Sequence, residues 1–433
     1  IDLALAANWQ KSTIAGESTD AGLSNSVAVD SLGDLHVSYF DNTNKRLIYG
    51  YRADGTWQTE VVAGSVADPQ GGGSSIAVDS NDNPCIAFKD QANQDLKYTC
   101  QSGNSWPIET VATEDDSGSS PQLALDSNDS PHIAFIYNQF LTYQVRYAYK
   151  SGDSWSVETI ESGNSFQITN LEINSDDIPV MGYDYSGLYY AARTGGSWSK
   201  SVASSSTGIT EPTMALRSLR TPHFAYADST GRDDYFVRYA SKSNGSWEIE
   251  NAASADEGEF GRYSSMEFSE SNEPRLVYYG ESSGALWYAE KIAGSWSHEV
   301  IENSSGKSAD LGIDSADKNH VIYYDSTPTL LRYATDSVSV SGVALQIDSG
   351  SQYTSDSEVD LDFSYNGAPT KMIIGEQPDL SDATAEPFAE DVSFDLSAGD
   401  GEKTVYYRLG NAHGWSEIAS QSIIVDYTMP QTE

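Results

Sequence analysis

Carboxylates and aromatic rings recur at one point of a repeated sequence block, where each second predicted strand ends. The set comprises Asp41, Asp90, Tyr137, Tyr185, Asp228 and Asp325. Carboxylates accept hydrogen bonds from sugar hydroxyls, aromatic rings offer an apolar face, and carboxylate oxygens also suit Ca²⁺. An Asp followed by Ser, Thr or Asn is equally typical of a hairpin turn. We expect these residues to form a ligand-binding face for a glycan or a cell-surface protein; the set requires no cofactor, although Ca²⁺ would suit it.

Three acidic loops adjoin this predicted face. They are residues 16–20, 113–117 and 255–259, and each combines acids with small residues. Loops on a rigid scaffold vary without disturbing the core, so binding residues often lie there. On the opposite face, residues 79–83 and 126–130 place side-chain oxygens at short intervals. They lack the full calcium-loop pattern and its Glu, so we expect ordinary turns.

Histidine and arginine could carry out acid–base chemistry on a polysaccharide. Four histidines share one repeat position at the start of the second strand, and two lie outside it: His36, His132, His223 and His320, then His298 and His413. Arginines likewise recur on third strands, at Arg146, Arg193, Arg238 and Arg332. A residue that recurs in register is more typical of packing than of catalysis. No metalloprotease, serine-hydrolase, Walker or dinucleotide motif occurs, so a polysaccharide lyase or glycosidase remains the enzymatic alternative.

The two cysteines are positioned to face each other. If the segment from Cys85 to Cys100 is a hairpin that turns between Asp90 and Asp95, residues whose numbers sum to 185 are opposed. Opposed Cα atoms in an antiparallel pair lie about 4.5–5.5 Å apart, which a disulfide can bridge. Two buried free thiols are the alternative. A disulfide would favour an oxidising, extracellular location.

These candidate residues lie on a repeat. Blocks such as Ser75-Ile-Ala-Val-Asp79 and Gln122-Leu-Ala-Leu-Asp126 begin units that each contain four short alternating segments. Turn tryptophans follow at spacings of 48, 49, 49, 43, 49 and 49, at Trp9, Trp57, Trp106, Trp155, Trp198, Trp247 and Trp296. Four strands in about 40–50 residues is the period of a β-propeller blade.

Incomplete units at the two ends of the repeat indicate closure. The segment around Trp9 is a fourth strand without three strands before it, and residues 310–335 supply three strands without a fourth. Together they make one blade. We therefore predict a seven-bladed β-propeller over residues 1–337, closed by the N-terminal strand.

The turns that carry the tryptophans resemble a known theme. Ala53-Asp-Gly-Thr-Trp57, Ser102-Gly-Asn-Ser-Trp106 and Gly195-Gly-Ser-Trp198 are similar to the Asp-box-like (BNR-like) turns of secreted bacterial seven-bladed propellers. The resemblance implies a propeller fold and secretion. These turns mainly pack the corner of a blade, so they carry little functional information.

A second module follows from about Val338. Alternating segments such as Val359-Asp-Leu-Asp-Phe363 indicate half-buried strands in a β-sandwich over residues 338–433. Residues 401–416 and the ending Asp426-Tyr-Thr-Met-Pro430 resemble bacterial immunoglobulin-like modules of surface proteins. The resemblance implies a stalk within a longer multidomain chain. The loop at Asn411-Ala-His-Gly-Trp415 departs from the pattern, which leaves a ligand role for it unsupported.

Charge limits the classes of partner. The 433 residues carry 24 Lys+Arg against 64 Asp+Glu, a net charge of −40, which excludes recognition of a phosphate backbone. No apolar stretch approaches the 18–20 residues that span a bilayer. The sequence thus predicts an all-β extracellular or cell-surface module for recognition or adhesion. A structural surface or filament component without a small ligand is the second interpretation, and the enzyme is the third.

Overall fold

The structure is a computed structural model. It describes residues 9–15, 20–22, 24–53, 55–64, 66, 73–113, 116–139, 142–229, 235–253, 261–281, 283–303, 305–315, 317–326, 329–336, 340–366, 369–389, 391–411 and 414–428.

Seven four-stranded antiparallel sheets form the blades of a propeller. In chain order the strands are β1 (Trp9–Ala15); β2–β5 of blade 1 (Ser26–Val29, Leu35–Asp41, Arg46–Ala53, Thr56–Gly64); β6–β9 of blade 2 (Ser74–Val78, Pro84–Asp90, Asp95–Cys100, Ile108–Ala112); β10–β13 of blade 3 (Asp116–Leu125, Pro131–Gln139, Thr142–Ser151, Ser154–Gly163); β14–β17 of blade 4 (Gln167–Ile173, Pro179–Asp184, Leu188–Thr194, Ser197–Ser204); β18–β21 of blade 5 (Ile209–Arg217, Thr221–Ser229, Tyr235–Ser243, Ser246–Ala253); β22–β25 of blade 6 (Gly261–Phe268, Pro274–Gly280, Ala285–Ile292, Ser295–Glu302); and β26–β28 of blade 7 (Lys307–Ile313, Asn319–Ser326, Thr329–Asp336).

The N-terminal strand closes the ring. Strand β1 pairs antiparallel with β28, so that Trp9 lies opposite Asp336 and Thr13 opposite Arg332. The first strands of successive blades are neighbours around the axis, including β26 of blade 7 and β2 of blade 1. The predicted seven blades and their closure are confirmed.

The core lies between blades. One cluster joins Tyr98 and Val111 of blade 2 to Leu123, Ile133 and Phe135 of blade 3, all of them buried. Alternation along a strand places one face against the preceding blade and the other against the following blade. A blade cannot bury both faces alone, so its stability depends on its neighbours.

A tryptophan at the start of each fourth strand, or two residues before it in blade 2, joins its blade to the blade before it. In five interfaces the indole Nε1 donates to a glutamate three residues beyond the preceding blade's own tryptophan: Trp106 to Glu60, Trp155 to Glu109, Trp198 to Glu158, Trp296 to Glu250 and Trp9 to Glu299, at 2.9–3.2 Å. We call this contact the tryptophan latch. Ser12 and Ser201 replace the glutamate in the other two, and within the described chain the facing indoles of Trp57 and Trp247 have no hydrogen-bond partner.

Turns between first and second strands supply a second contact between blades. Serine hydroxyls donate to an aspartate of the next blade: Ser31 to Asp82, Ser80 to Asp129 and Ser127 to Asp177, at 2.6–2.7 Å. The aspartates have φ of 56–62°, which Asp tolerates better than most residues. Residues 79–83 and 126–130 are therefore turns that join blades.

Cys85 and Cys100 form a disulfide across β7 and β8. They are directly opposed in the register, with Cα atoms 4.0 Å apart, which confirms the predicted pairing. No helix within the described residues is long and apolar enough to cross a membrane.

Two smaller sheets follow the propeller. One contains β29 (Ser341–Ile347), β31 (Glu358–Asn366) and β34 (Asp391–Asp395). The other contains β30 (Tyr353–Thr354), β32 (Lys371–Gly375), β33 (Glu386–Pro387), β35 (Gly401–Asn411), β36 (Gly414–Trp415) and β37 (Ala419–Val425). Buried residues of both sheets, including Leu361 and Val405, share one core, as in a sandwich. The predicted domain boundary at 337/338 lies outside the described residues.

Candidate functional site

The carboxylates of Asp41 and Asp90 close their own hairpin turns. Asp41 accepts from the backbone and side chain of Asn44 and from Arg46, at 2.7–2.9 Å. Asp90 accepts from the side chain of Asn93 at 2.7 Å. Burial opposes ionisation of Asp41, yet the bonds from Arg46 and Asn44 outweigh it and lower its pKa. Both carboxylates act as turn caps.

The other predicted residues are also engaged with neighbours. Asp228 and Asp325 are buried and face Arg238 and Arg332 of the next strand at 3.5 and 3.4 Å. In blade 3 the equivalent Tyr137 stacks under Arg146, with 3.7 Å from the guanidinium carbon to the ring centroid. The arginine–partner pair is thus a repeated feature of the second hairpin.

Tyr185 lies one residue beyond β15 and packs on Phe166, with 4.8 Å between ring centroids. Each of the six predicted residues belongs to a different blade, so the structure distributes them around one face and does not bring them together. Most of the acidic loops predicted beside them, at 16–19, 114–115 and 255–259, lie outside the described residues, as does His413.

The recurring histidines have structural partners. Each Nδ1 contacts a tyrosine hydroxyl on the third strand of its own blade: His36 with Tyr49, His132 with Tyr147, His223 with Tyr239 and His320 with Tyr333. Burial lowers the pKa of all four, to about 4 for His223. Their contacts are those of packing residues. Outside the register, His298 Nδ1 lies 3.2 Å from the Tyr278 hydroxyl.

The first strands surround a polar channel on the axis. It has a volume of about 460 Å³, and many of its lining side chains carry hydroxyl, amide or carboxyl groups. The first residue of several sequence blocks bonds the next blade, as where Leu123 N donates to Ser75 Oγ at 3.0 Å and Val27 N donates to Asp310 Oδ2 at 2.9 Å. These bonds connect first strands that belong to different sheets and are therefore not paired with each other through backbone hydrogen bonds.

The third residue of the block distinguishes two blades. It is alanine or glycine in five blades, at Ala28, Ala77, Ala124, Ala215 and Gly312, but glutamate in blades 4 and 6, at Glu172 and Glu267. Both glutamates line the channel. Glu172 Oε2 accepts from Leu216 N at 3.2 Å, whereas its Oε1 is buried without a hydrogen-bond partner among the described residues.

Burial makes these channel carboxyls weak acids. It raises the pKa of Glu172 to about 8. Burial, followed by the charges of Glu172 and Asp310, raises the pKa of Glu267 well above its usual value. Burial also raises the pKa of Asp310, despite several hydrogen bonds to its carboxylate. With a pKa of about 8, Glu172 is therefore largely protonated at neutral pH, and the raised pKa of Glu267 favours its neutral form as well; a protonated carboxyl can donate as well as accept a hydrogen bond.

Sequence reasoning missed these glutamates, although the signal was visible. Both stand at the alanine position of the first-strand block. Among the described residues, no group of three or more His, Cys, Asp or Glu side chains could hold a metal ion, so the Ca²⁺ expectation gains no support there.

Comparisons with known proteins show the fold alone. No protein-family model and no curated sequence matches the chain. An ulvan lyase of polysaccharide lyase family PL25 superposes with a TM-score of 0.54 at 12% identity, over 75% of this chain and 95% of that one. A fungal alcohol oxidase of family AA5, solved with copper, superposes with a TM-score of 0.51 at 10% identity, over 97% and 99% of the two chains.

Proposed function

We propose that the protein is an extracellular carbohydrate-recognition module whose central channel receives the sugar. The observation that carries this proposal is the pair of glutamates, Glu172 and Glu267, at a channel position held by alanine or glycine in the other blades. Both side chains are half-buried, and two partly desolvated carboxyls in one channel destabilise a fold unless they are paired. Their presence in a polar channel is therefore better explained by a ligand than by packing.

The chemistry of the channel suits a polyhydroxylated ligand. Protonated carboxyls, hydroxyls and amides can each exchange hydrogen bonds with sugar hydroxyls. A volume of about 460 Å³ lies within the range of small-molecule sites. The PL25 neighbour is named as a lyase of the polysaccharide ulvan, which supports the same class of ligand on this scaffold.

The second candidate is cleavage of a glycosidic bond. Glycosidases use two carboxyl groups, one of them an acid with a raised pKa. Glu172 and Glu267 interact electrostatically, and both have raised pKa values. In a hydrolysis step, one glutamate in its protonated form would give its proton to the leaving oxygen, and the other, in its ionised form, would accept a proton from attacking water.

Glutamine substitutions separate the two candidates. A glycan array and calorimetry would identify a ligand, with and without Ca²⁺, and release of reducing ends or unsaturated products would report cleavage. For a recognition site, Glu267→Gln keeps a neutral donor and acceptor and should change affinity less than about tenfold. For a catalyst, it should reduce turnover more than about a hundredfold.

Glu248→Gln is the matched control, because it removes an exposed acid from the fourth strand of blade 5. Absence of both glycan binding and cleavage in the wild type would refute the proposal. The location remains part of the proposal: the Cys85–Cys100 disulfide suits an oxidising compartment, and the C-terminal sheets would serve as a stalk in an adhesin or surface protein.

A further inference from the structure

A basic side chain recurs opposite the tryptophan at the end of the third strand in five of the blades that the structure describes. In five interfaces the residue stands five positions before the latch tryptophan, at Arg52, Lys150, Arg193, Lys242 and Lys291. These cations lie near aromatic rings: Arg52 is 4.6 Å from the Tyr333 centroid, and Lys242 is 4.8 Å from that of Tyr190. In blade 7 this position is Asp336, and between blades 6 and 7 the fully buried Arg275, at the start of the second strand of blade 6, supplies the charge and pairs with Glu290 and Asp317.

The interface between blades 1 and 2 is the exception. Gln101 stands at the position of the cation, and its Nε2 donates to Glu60 at 3.0 Å. A cavity of about 500 Å³ opens beside it. Its walls include the rings of Tyr49 and Tyr51 and the carboxylates of Asp30, Glu60 and Asp82, and none of its lining residues is Lys or Arg.

Blades 3 and 4 provide an almost identical interface with the cation in place. Tyr147, Tyr149, Glu158 and Trp198 correspond to Tyr49, Tyr51, Glu60 and Trp106 in the repeat. There Arg193 bonds both oxygens of Glu158, at 2.6 and 3.2 Å, and its guanidinium lies 4.8 Å from the Tyr149 centroid. Between blades 1 and 2, Gln101 stands where this arginine would be. The carboxylate and the aromatic rings are therefore kept there, but the guanidinium that they would surround is replaced by an amide.

We infer that the cavity between blades 1 and 2 binds an alkylguanidinium group from outside the chain, in the place that Arg193 fills between blades 3 and 4. The planar cation would form a forked pair with Glu60 and stack on Tyr51. The surrounding carboxylates add electrostatic attraction, and the aromatic faces favour a cation over a neutral amide. The group could belong to a small alkylguanidine or to an arginine side chain of a partner protein; both present the same chemistry.

Exchanging the residues at positions 101 and 193, which should transfer the binding cavity from one blade interface to another, tests this inference. Calorimetry and ligand-observed NMR would measure binding of methylguanidinium, with butylammonium as the comparison cation, in about 0.15 M NaCl to screen the acidic surface. Wild type should bind methylguanidinium, and Gln101→Arg should weaken binding at least about tenfold, because the cavity then contains its own cation. Gln101→Arg combined with Arg193→Gln should restore binding, now between blades 3 and 4.

Circular dichroism would confirm that the variants are folded. Equal binding by wild type and Gln101→Arg would place the cation elsewhere on the acidic surface and overturn the inference, as would loss of binding without recovery in the double variant. A capped Gly-Arg-Gly peptide distinguishes the sources: tighter binding than methylguanidinium indicates an arginine side chain, and weaker binding indicates a small guanidine. None of these residues lines the axial channel, so failure here leaves the glycan proposal unaffected.

Discussion

The tryptophan latch is incomplete between blades 4 and 5, and Ser201→Glu should complete it. Trp247 Nε1 and Ser201 Oγ are both buried without a hydrogen-bond partner among the described residues. The Lys242 ammonium lies 5.6 Å from the Trp247 ring centroid. A glutamate at position 201 would accept from the indole and face this ammonium, as Glu250 does for the corresponding pair in the next interface.

The expected gain is modest because the site is partly exposed. A hydrogen bond to a charged group contributes about 1.5–3 kcal/mol, an exposed ion pair about 0.2–1 kcal/mol, and ordering a glutamate costs up to about 2 kcal/mol. The equivalent Glu250 is 43% exposed, so the upper values do not apply. We expect the free energy of unfolding to rise by about 1 kcal/mol and, at about 2.1 cal/mol/K per residue over 433 residues, Tm to rise by about 1 °C.

Urea titration measures this change, with differential scanning calorimetry for Tm. Ser201→Gln offers an acceptor without the charge and should recover part of the gain. Ser154→Glu, which adds the same charge at an exposed strand position in blade 3, controls for net charge and should not stabilise.

The other incomplete latch provides an independent repeat. Ser12 faces Trp57, whose Nε1 is unpaired among the described residues, as is the Nε of Arg52. Ser12→Glu should stabilise to a similar degree, and the two substitutions should add because different blades carry them. If neither glutamate variant is more stable than the Ser154→Glu control, the latch does not stabilise the propeller.

Three further predictions concern the disulfide, the channel and the turns between first and second strands. Replacing Cys85 and Cys100 by serine should lower the free energy of unfolding by about 2–4 kcal/mol, because the bond closes a separation of 15 residues; reduction of the wild type should reproduce the loss in urea titrations. Burial raises the pKa of Glu172 from 4.5 in the unfolded chain to about 8, so the contribution of Glu172 to stability is greatest below pH 4.5 and is lost as pH rises through 8; relative to the wild type, Glu172→Gln should therefore lose less stability, or gain more, between melts at pH 4 and pH 8. Asp82→Ala removes the acceptor of Ser31 and should lower the unfolding midpoint, whereas Asp82→Asn, which keeps an acceptor and tolerates positive φ, should retain most of it in the same assay.

The fold could be predicted because repetition and closure are both visible in the sequence. The tryptophan spacing defined the blades, and the orphan strand at Trp9 identified the closing partner of β28. The opposition of Cys85 and Cys100 followed from a hairpin turn between Asp90 and Asp95, because the position of the turn sets the register of the two strands. These features depend on local geometry that side-chain type and spacing determine.

The candidate site was harder to predict because residue type does not reveal what a side chain contacts. Asp228 suits a sugar as well as it suits an arginine, and only the folded hairpin shows that Arg238 lies 3.5 Å away. Glu172 and Glu267 were visible as departures from an alanine position, yet alternation alone does not tell which face of a first strand lines the axis. Gln101 could be recognised only once its counterparts were seen to be cations packed between blades.

Departures from the repeat differ in whether the fold compensates for them. Where Cys85 replaces the recurring histidine, Cys100 supplies a bond, and where Arg275 replaces it, Glu290 and Asp317 neutralise the charge. Such exchanges preserve packing and need no ligand. Glu172 leaves a buried oxygen without a hydrogen-bond partner among the described residues, and Gln101 leaves an open, acidic, aromatic cavity. Because the described chain offsets these two departures only in part, through the bonds of Glu172 to Leu216 and of Gln101 to Glu60, we propose the axial channel and the blade 1–2 cavity as the places where external ligands bind.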